Sequence, residues 1–260
     1  MERLEAALQK AREQRLSDVA AGSRADAGAA WASLPSLGAD PAALARNRII
    51  TLTRSDPACA PFDMLRTKLL QAMRANGWTT VAVTSPTPGC GKSVVAMNLA
   101  FSFSRQKELR TVLIDLDLRR PQVARLLAQK GAPSIGDFLR GRKAVEDVFV
   151  RYGDNLAVGA NGRPVQFSSE LLQGPSSIAA LLGVRKRLEP QVVIYDLPPM
   201  LASDDVIAFV PNVDCAILVV AAETTTVREA DICEHTLAEK TKVAGVVLNK
   251  CRYTPDKYGY

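Results

Sequence analysis

The chain has 260 residues, 47% of them hydrophobic and 23% charged, enough to bury one full α/β core with a short appendage. Its formal charge of +6 favours anionic partners, whether nucleotides, acidic membrane surfaces, acidic protein segments or nucleic acid. A single histidine, His235, leaves almost no material for a Ser-His-Asp or histidine-metal mechanism, and five cysteines without a C-x-x-C pair argue against a disulfide framework or a zinc site.

No apolar run approaches the roughly 20 residues of a spanning helix, and the charged start, Met1-Glu-Arg-Leu-Glu5, has no signal-peptide core. A cytoplasmic protein is expected, and Cys59, Cys90, Cys215, Cys233 and Cys251 fit a reducing compartment. Residues 1–18 place Leu4, Ala7, Leu8 and Ala11 at helical spacing among charges, which predicts a short amphipathic helix. From Ala20 to about Asp40 the Ala/Gly/Ser composition reads as a flexible linker, so residues 1–40 precede a domain over 41–250. Ile49–Leu52 predicts a short strand, and Pro61 to Asn76 a helix with Phe62, Leu65, Leu69 and Met73 on one face.

Next comes Val81-Ala-Val-Thr-Ser-Pro-Thr-Pro-Gly-Cys-Gly-Lys-Ser93, a β-branched run emptying into a Gly/Pro turn, followed from Val94 by helical apolar spacing. Strand, turn and helix in that order make a phosphate-binding loop, because a helix N-terminus offers unpaired N–H groups and a positive dipole end. Gly89 and Gly91 let the backbone close around polyphosphate, Lys92 reaches the β/γ-phosphates, and the Ser93 hydroxyl ligates Mg²⁺. The expected nucleotide contacts are Pro88, Gly89, Cys90, Gly91, Lys92, Ser93 and Val94. Pro86 stands where the usual loop has its first Gly, and Val94 where a dinucleotide fingerprint has its third. Cys90 is either a tolerated small side chain or a thiol that makes ATP binding sensitive to oxidation.

Four further apolar runs, Thr111–Asp115, Val192–Asp196, Ala216–Val220 and Val243–Leu248, are separated by helical stretches. Buried strands alternating with helices predict an α/β fold, a three-layer α/β/α P-loop NTPase with a mainly parallel sheet and ligands at the carboxyl ends of its strands. Asp115 closes one strand and Asp117 lies two residues on, while Asp196 closes another. Beside a phosphate loop, Asp115 and Asp196 suit Mg²⁺ together with Ser93, and Asp115 or Asp117 can accept the proton of an attacking hydroxyl. Lys92, Asp115, Asp117 and Asp196 are thus the catalytic candidates, although an Asp at a strand end can also be a helix cap. Arg119-Arg120, Arg140–Lys143 and Arg185–Arg187 lack interleaved aromatics, so no nucleic acid is expected. Beyond the last strand, residues 251–260 hold Tyr253, Tyr258 and Tyr260, three of the protein's five tyrosines.

Ser85–Ser93, apolar-Asp115-x-Asp117-x-Arg119 and apolar-Asp196-Leu-Pro-Pro199 resemble the Walker A, A′ and B motifs of the bacterial tyrosine kinases of polysaccharide export, relatives of the MinD and ParA ATPases. The likeness continues through Arg119-Arg-Pro121, Ser134–Leu139, Asp196–Asp204 and Gly245–Asn249, covering roughly residues 60 to 250. The resemblance implies an ATP- and Mg²⁺-dependent autokinase that phosphorylates Tyr253, Tyr258 and Tyr260 of another copy, with Asn249 as an adenine contact. It also implies a membrane-bound polysaccharide co-polymerase or activator that recruits the kinase to the inner face of the membrane. The family's ring-assembly motif, Glu-x-x-Arg-x-x-Arg, is kept only at Arg66, since its other positions hold Ala60 and Asp63. Two other readings stay open. A MinD/ParA-like switch ATPase is disfavoured by Thr87 where those proteins carry Lys, and a non-catalytic scaffold by the intact Lys92, Ser93, Asp115 and Asp196.

Overall fold

The computed structural model describes residues 26–52 and 58–252. Its strands are β1 (Thr80–Ser85), β2 (Thr111–Asp115), β3 (Phe149–Tyr152), β4 (Leu156–Gly159), β5 (Val192–Pro199), β6 (Cys215–Ala221) and β7 (Lys242–Asn249). They form one sheet in the order β3-β4-β2-β5-β1-β6-β7. Every neighbouring pair is parallel except β3 with β4, which is antiparallel.

The helices are α1 (26–33), α2 (Pro41–Arg46), α3 (Cys59–Asn76), α4 (Lys92–Ser104), α5 (Val123–Leu126), α6 (Ile135–Leu139), α7 (Ser168–Gln173), α8 (Pro175–Leu188), α9 (Asp205–Phe209) and α10 (Val227–Ala238). Alternation along the strands sends side chains into two separate cores. In β2, Val112 and Ile114 pack with Phe138, Val184 and Leu188 of α6 and α8. Leu113 between them packs with Met73 and Phe101 of α3 and α4 on the opposite face. Apolar residues on both faces are the reason these strands read as continuous hydrophobic runs, and the expected three-layer fold is present.

Four expectations need correction. Residues 26–40 are not a linker: Ala27, Ala30, Trp31 and Leu34 are buried, and the Trp31 indole donates to the Leu188 carbonyl at 2.6 Å. Alanine-rich sequence is strongly helix-forming, and Trp31 supplies the apolar anchor that ties the helix down. The segment then pairs with β3, the Arg151 N–H donating to Pro35 and the Leu37 N–H to Arg151 at 2.8 and 2.7 Å. Ile49–Leu52 is not a strand, because Asn98 of α4 takes its backbone bonds, accepting from Ile50 at 2.8 Å and Thr51 at 3.1 Å.

β3 and β4, unannounced by any long apolar run, add two strands beyond β2. β7 is an edge strand rather than a fully buried one, with Val246 and Leu248 exposed. The expected amphipathic helix over 1–18 and the tyrosines at 253, 258 and 260 lie outside the described residues.

Candidate nucleotide and phosphoryl-transfer site

The carboxyl ends of β1, β2 and β5 meet at one place. Asp115 and Asp196 are register partners on adjacent parallel strands, and both share the parity of Leu113 and Ile194, whose side chains face α4. The loop leaving β1 at Ser85 ends at Gly91, which caps α4, so the first residue of that helix, Lys92, enters the same space. Gly89 and Gly91 have φ of 86° and 91°, left-handed backbone that favours glycine. At Gly91 room is also short, since a Cβ would lie 2.3 Å from the Asn249 amide nitrogen.

Lys92 is buried, and its ammonium reaches Asp117 Oδ2 at 2.8 Å, Ser93 Oγ at 3.2 Å and Asp196 Oδ1 at 3.4 Å. Burial alone would lower the Lys92 pKa, but the charges of Asp196 and Asp117 outweigh it and hold it above the ordinary value. The three carboxylates are not equivalent. Asp115 accepts backbone N–H bonds from Asp117 at 3.2 Å and Val123 at 3.1 Å, so it shapes the loop after β2. Asp117 accepts from the Arg120 N–H at 3.0 Å and offers its other oxygen to Lys92. Asp196 Oδ2 is buried without a hydrogen-bond partner.

Burial pushes both Asp115 and Asp196 above the usual carboxylate range. For Asp115 the neighbouring Asp196 charge adds to that effect, and for Asp196 the Lys92 charge opposes it only in part. One ammonium faces three carboxylates, and the excess negative charge together with the orphaned Asp196 oxygen fits a divalent cation. Among the described residues no three His, Cys, Asp or Glu side chains are placed to hold an ion by themselves. A small hard cation would complete its shell with the Ser93 hydroxyl, water and phosphate oxygens.

A cleft of about 490 Å³ opens over this cluster, lined by Pro88, Gly89, Gly91, Lys92, Ser93, Val94 and Asp117 among others. Cys90 differs from its neighbours in the loop. Its thiol is buried and lies 3.5 Å from the hydroxyls of Thr87 and Thr225, turned into the protein and away from the cleft lining. Burial raises the thiol pKa, but the hydroxyls of Thr225 and Thr87 outweigh it and leave the thiol below its usual value. Asn249, at the end of β7, donates its amide to the Cys90 carbonyl at 2.8 Å, which braces the loop from the far side.

The opposite wall is basic, with Arg119, Arg120 and Arg125 lining the cleft. Only the Arg119-Arg120 pair announced it in sequence. Arg119 is held by Asp205, its Nε 3.2 Å from both carboxylate oxygens, and the Ser168 hydroxyl donates to Asp205 at 2.7 Å. Asp205 is fully buried and was not singled out in sequence, because nothing local distinguishes it from Asp204. His235 stands apart, exposed on α10. Arg66 of α3 donates to Asp63 and to the Ser102 carbonyl of α4 at 3.2 and 3.1 Å, and Arg105 also pairs with Asp63, so these charges join α3 to α4.

A family model described as "ParA: NUBPL iron-transfer P-loop NTPase" matches residues 78–259. Among curated relatives, the putative tyrosine-protein kinase EpsB of Ralstonia solanacearum is 31% identical over 207 residues, 79% of this chain and 27% of EpsB. The chain thus spans about a quarter of the length of that relative. The tyrosine-protein kinase YwqD of Bacillus subtilis is 28% identical over 202 residues, 76% of this chain and 84% of YwqD. The solved kinase domain of the Escherichia coli tyrosine kinase ETK superposes with a TM-score of 0.68 at 28% identity, covering 79% of this chain and 82% of that domain. The phosphate loop, the carboxylates on neighbouring strands and these likenesses agree: the chain belongs to the ParA family of P-loop NTPases, and its relatives there include bacterial tyrosine-protein kinases.

Proposed function

We propose that this chain is an ATP-dependent protein-tyrosine autokinase that phosphorylates Tyr253, Tyr258 and Tyr260 of a second copy. The observation that carries the reading is the contact between Lys92 and Asp117 at the mouth of the phosphate loop. Polyphosphate in the loop draws the Lys92 ammonium toward the β/γ oxygens, and that exchange releases Asp117 Oδ2 to accept a proton. The tyrosine oxygen attacks the γ-phosphorus, the bond from the γ-phosphorus to the bridging oxygen breaks, and ADP leaves as the tyrosine proton passes to Asp117. Asp115 positions Asp117 through the backbone N–H that it accepts, which favours Asp117 over Asp115 as the base. Mg²⁺, when bound, supplies charge neutralisation at the phosphate oxygens. Ser93 and Asp196 would hold it, with Asp115 adding charge behind them.

The expected setting is polysaccharide polymerisation or export, with a membrane-bound co-polymerase or activator as partner and recruitment to the inner face of the membrane. The tyrosine-protein kinase YwqD, matched over 84% of its length, supports the kinase part of this reading. Among the described residues no helix is long and apolar enough to cross a membrane. The trans reaction is tested by mixing wild-type protein with a longer-tagged Lys92→Met copy and radiolabelled Mg·ATP. Label on the tagged copy supports the proposal. ATP hydrolysis without label on either copy would favour a switch ATPase.

A further inference from the structure

Phe167 is 75% exposed and sits at φ 53°, ψ 49°, in the left-handed region that suits glycine or asparagine. Six described non-glycine residues have such a φ, and Phe167 is the one aromatic among them. A bulky side chain held there costs free energy, and exposed as it is, it recovers little by packing. The two residues that follow, Ser168 and Ser169, are buried, so the segment is anchored on the C-terminal side of an exposed ring.

The place where this ring stands gives the strain a use. The Val165 N–H donates to the Leu118 carbonyl at 2.8 Å, which pins the segment to the residue following Asp117. A shallow depression lined by Phe167, Val165, Ser169, Glu170, Asp204 and Arg119 lies there, and Arg119 also lines the nucleotide cleft. The two recesses thus share Arg119 as a wall.

We infer that this depression is the acceptor-binding shelf of the kinase, where Phe167 stacks on a tyrosine ring from the Asp256–Tyr260 segment of a second copy. The inference rests on the kinase reading given above. Charge complementarity supports it, since Lys257 precedes Tyr258 and the shelf offers the Glu170 carboxylate, with Asp204 paired to Arg119 beside it at 3.4 Å. The path of the chain keeps Tyr253 of its own tail away from the shelf. Three strands separate β7 from β2, so the crossing is about 19 Å at ordinary strand spacing. Tyr253, four residues past Asn249, reaches about 14 Å and falls short. Tyr258, nine residues past it, reaches about 30 Å, so its assignment to a second copy rests on the trans reaction proposed above.

The test uses the full chain, Mg·ATP and a fluorescent peptide Arg-Tyr-Thr-Pro-Asp-Lys-Tyr-Gly-Tyr, with anisotropy for binding and mass spectrometry for transfer. Phe167→Ala and Phe167→Gly are expected to weaken peptide binding and raise the peptide KM about tenfold. ATP affinity and kcat at saturating peptide should stay within about twofold, and Phe167→Tyr should restore wild-type values. Because glycine is at ease at this φ, Phe167→Gly should melt no lower than wild type, an outcome a merely structural role does not give. Unchanged peptide KM in both variants, with wild-type transfer intact, overturns the shelf and leaves the kinase reading standing. Peptide binding that depends on Phe167, without any transfer, overturns the kinase reading and keeps the shelf. Wild-type protein that neither binds nor phosphorylates the peptide overturns both.

Discussion

The Lys92 ammonium stands 2.8 Å from the Asp117 carboxylate inside a buried cluster that also contains Asp115 and Asp196. That ion pair ties the phosphate-gripping residue to the candidate base. Lys92→Met should therefore do two things at once. Phosphoryl transfer should fall by at least about a hundredfold, and unfolding in urea should show a loss of about 3 kcal/mol, because three buried carboxylates lose their cation. A variant as stable as wild type would contradict the arrangement.

Asp117→Asn and Asp115→Asn separate base from scaffold. Asp117→Asn should lower kcat by about a hundredfold or more with little change in ATP affinity. Asp115→Asn keeps one carbonyl acceptor for two N–H groups, so it should loosen the loop after β2 and weaken ATP binding along with kcat. Titration calorimetry and single-turnover transfer would distinguish the two patterns.

Burial raises the folded-state pKa of Asp115 and Asp196 above the ordinary 3.8. Above that pH the folded chain holds more protons than the unfolded chain, so this contribution to stability is present in acid and is lost as pH rises through the raised values. A cation that binds the ionised pair offsets the loss. Mg²⁺ should raise the melting temperature more at about pH 8 than at about pH 5, and differential scanning fluorimetry reads the difference directly. An equal shift at both values would contradict the proposed ligand role of Asp196.

Asn249 braces the phosphate loop through the Cys90 carbonyl. Asn249→Ala should weaken ATP binding severalfold, in keeping with about 1 kcal/mol for one hydrogen bond. If Asn249 also contacts adenine, the preference for ATP over GTP should narrow in the same variant. An unchanged preference with weakened binding would confine the residue to bracing. Gly91→Ala should be far worse, since φ and the 2.3 Å approach of Asn249 both oppose a Cβ.

Trp31→Ala should destabilise the domain by about 3–5 kcal/mol, although the residue is remote in sequence from the phosphate loop. Its indole is buried and bonded to Leu188, so loss of this anchor should also expose residues 26–40 to proteolysis. A neutral effect would return the segment to the status of a linker.

The parts legible in sequence were those whose physics is local. The strand of Val81–Ser85, the glycines of the loop and the helix after Lys92 each follow from pattern over a few residues, and so does an Asp closing a buried strand. What sequence could not show depends on partners far along the chain. Trp31 finds Leu188, Asn98 takes the bonds that a strand at Ile49 would have made, and Arg119 finds Asp205. β3 and β4 are only four residues each, too short for periodicity to separate from a loop. The unequal roles of Asp115 and Asp117 were equally invisible, because they rest on which backbone N–H groups each oxygen meets.

The most direct measurement is mass spectrometry of the purified chain after incubation with Mg·ATP, with and without the cytosolic segment of a candidate membrane partner. Phosphate on Tyr253, Tyr258 or Tyr260, absent in Lys92→Met, is the predicted result. Steady ATP hydrolysis with all three tyrosines unmodified under both conditions would contradict the account.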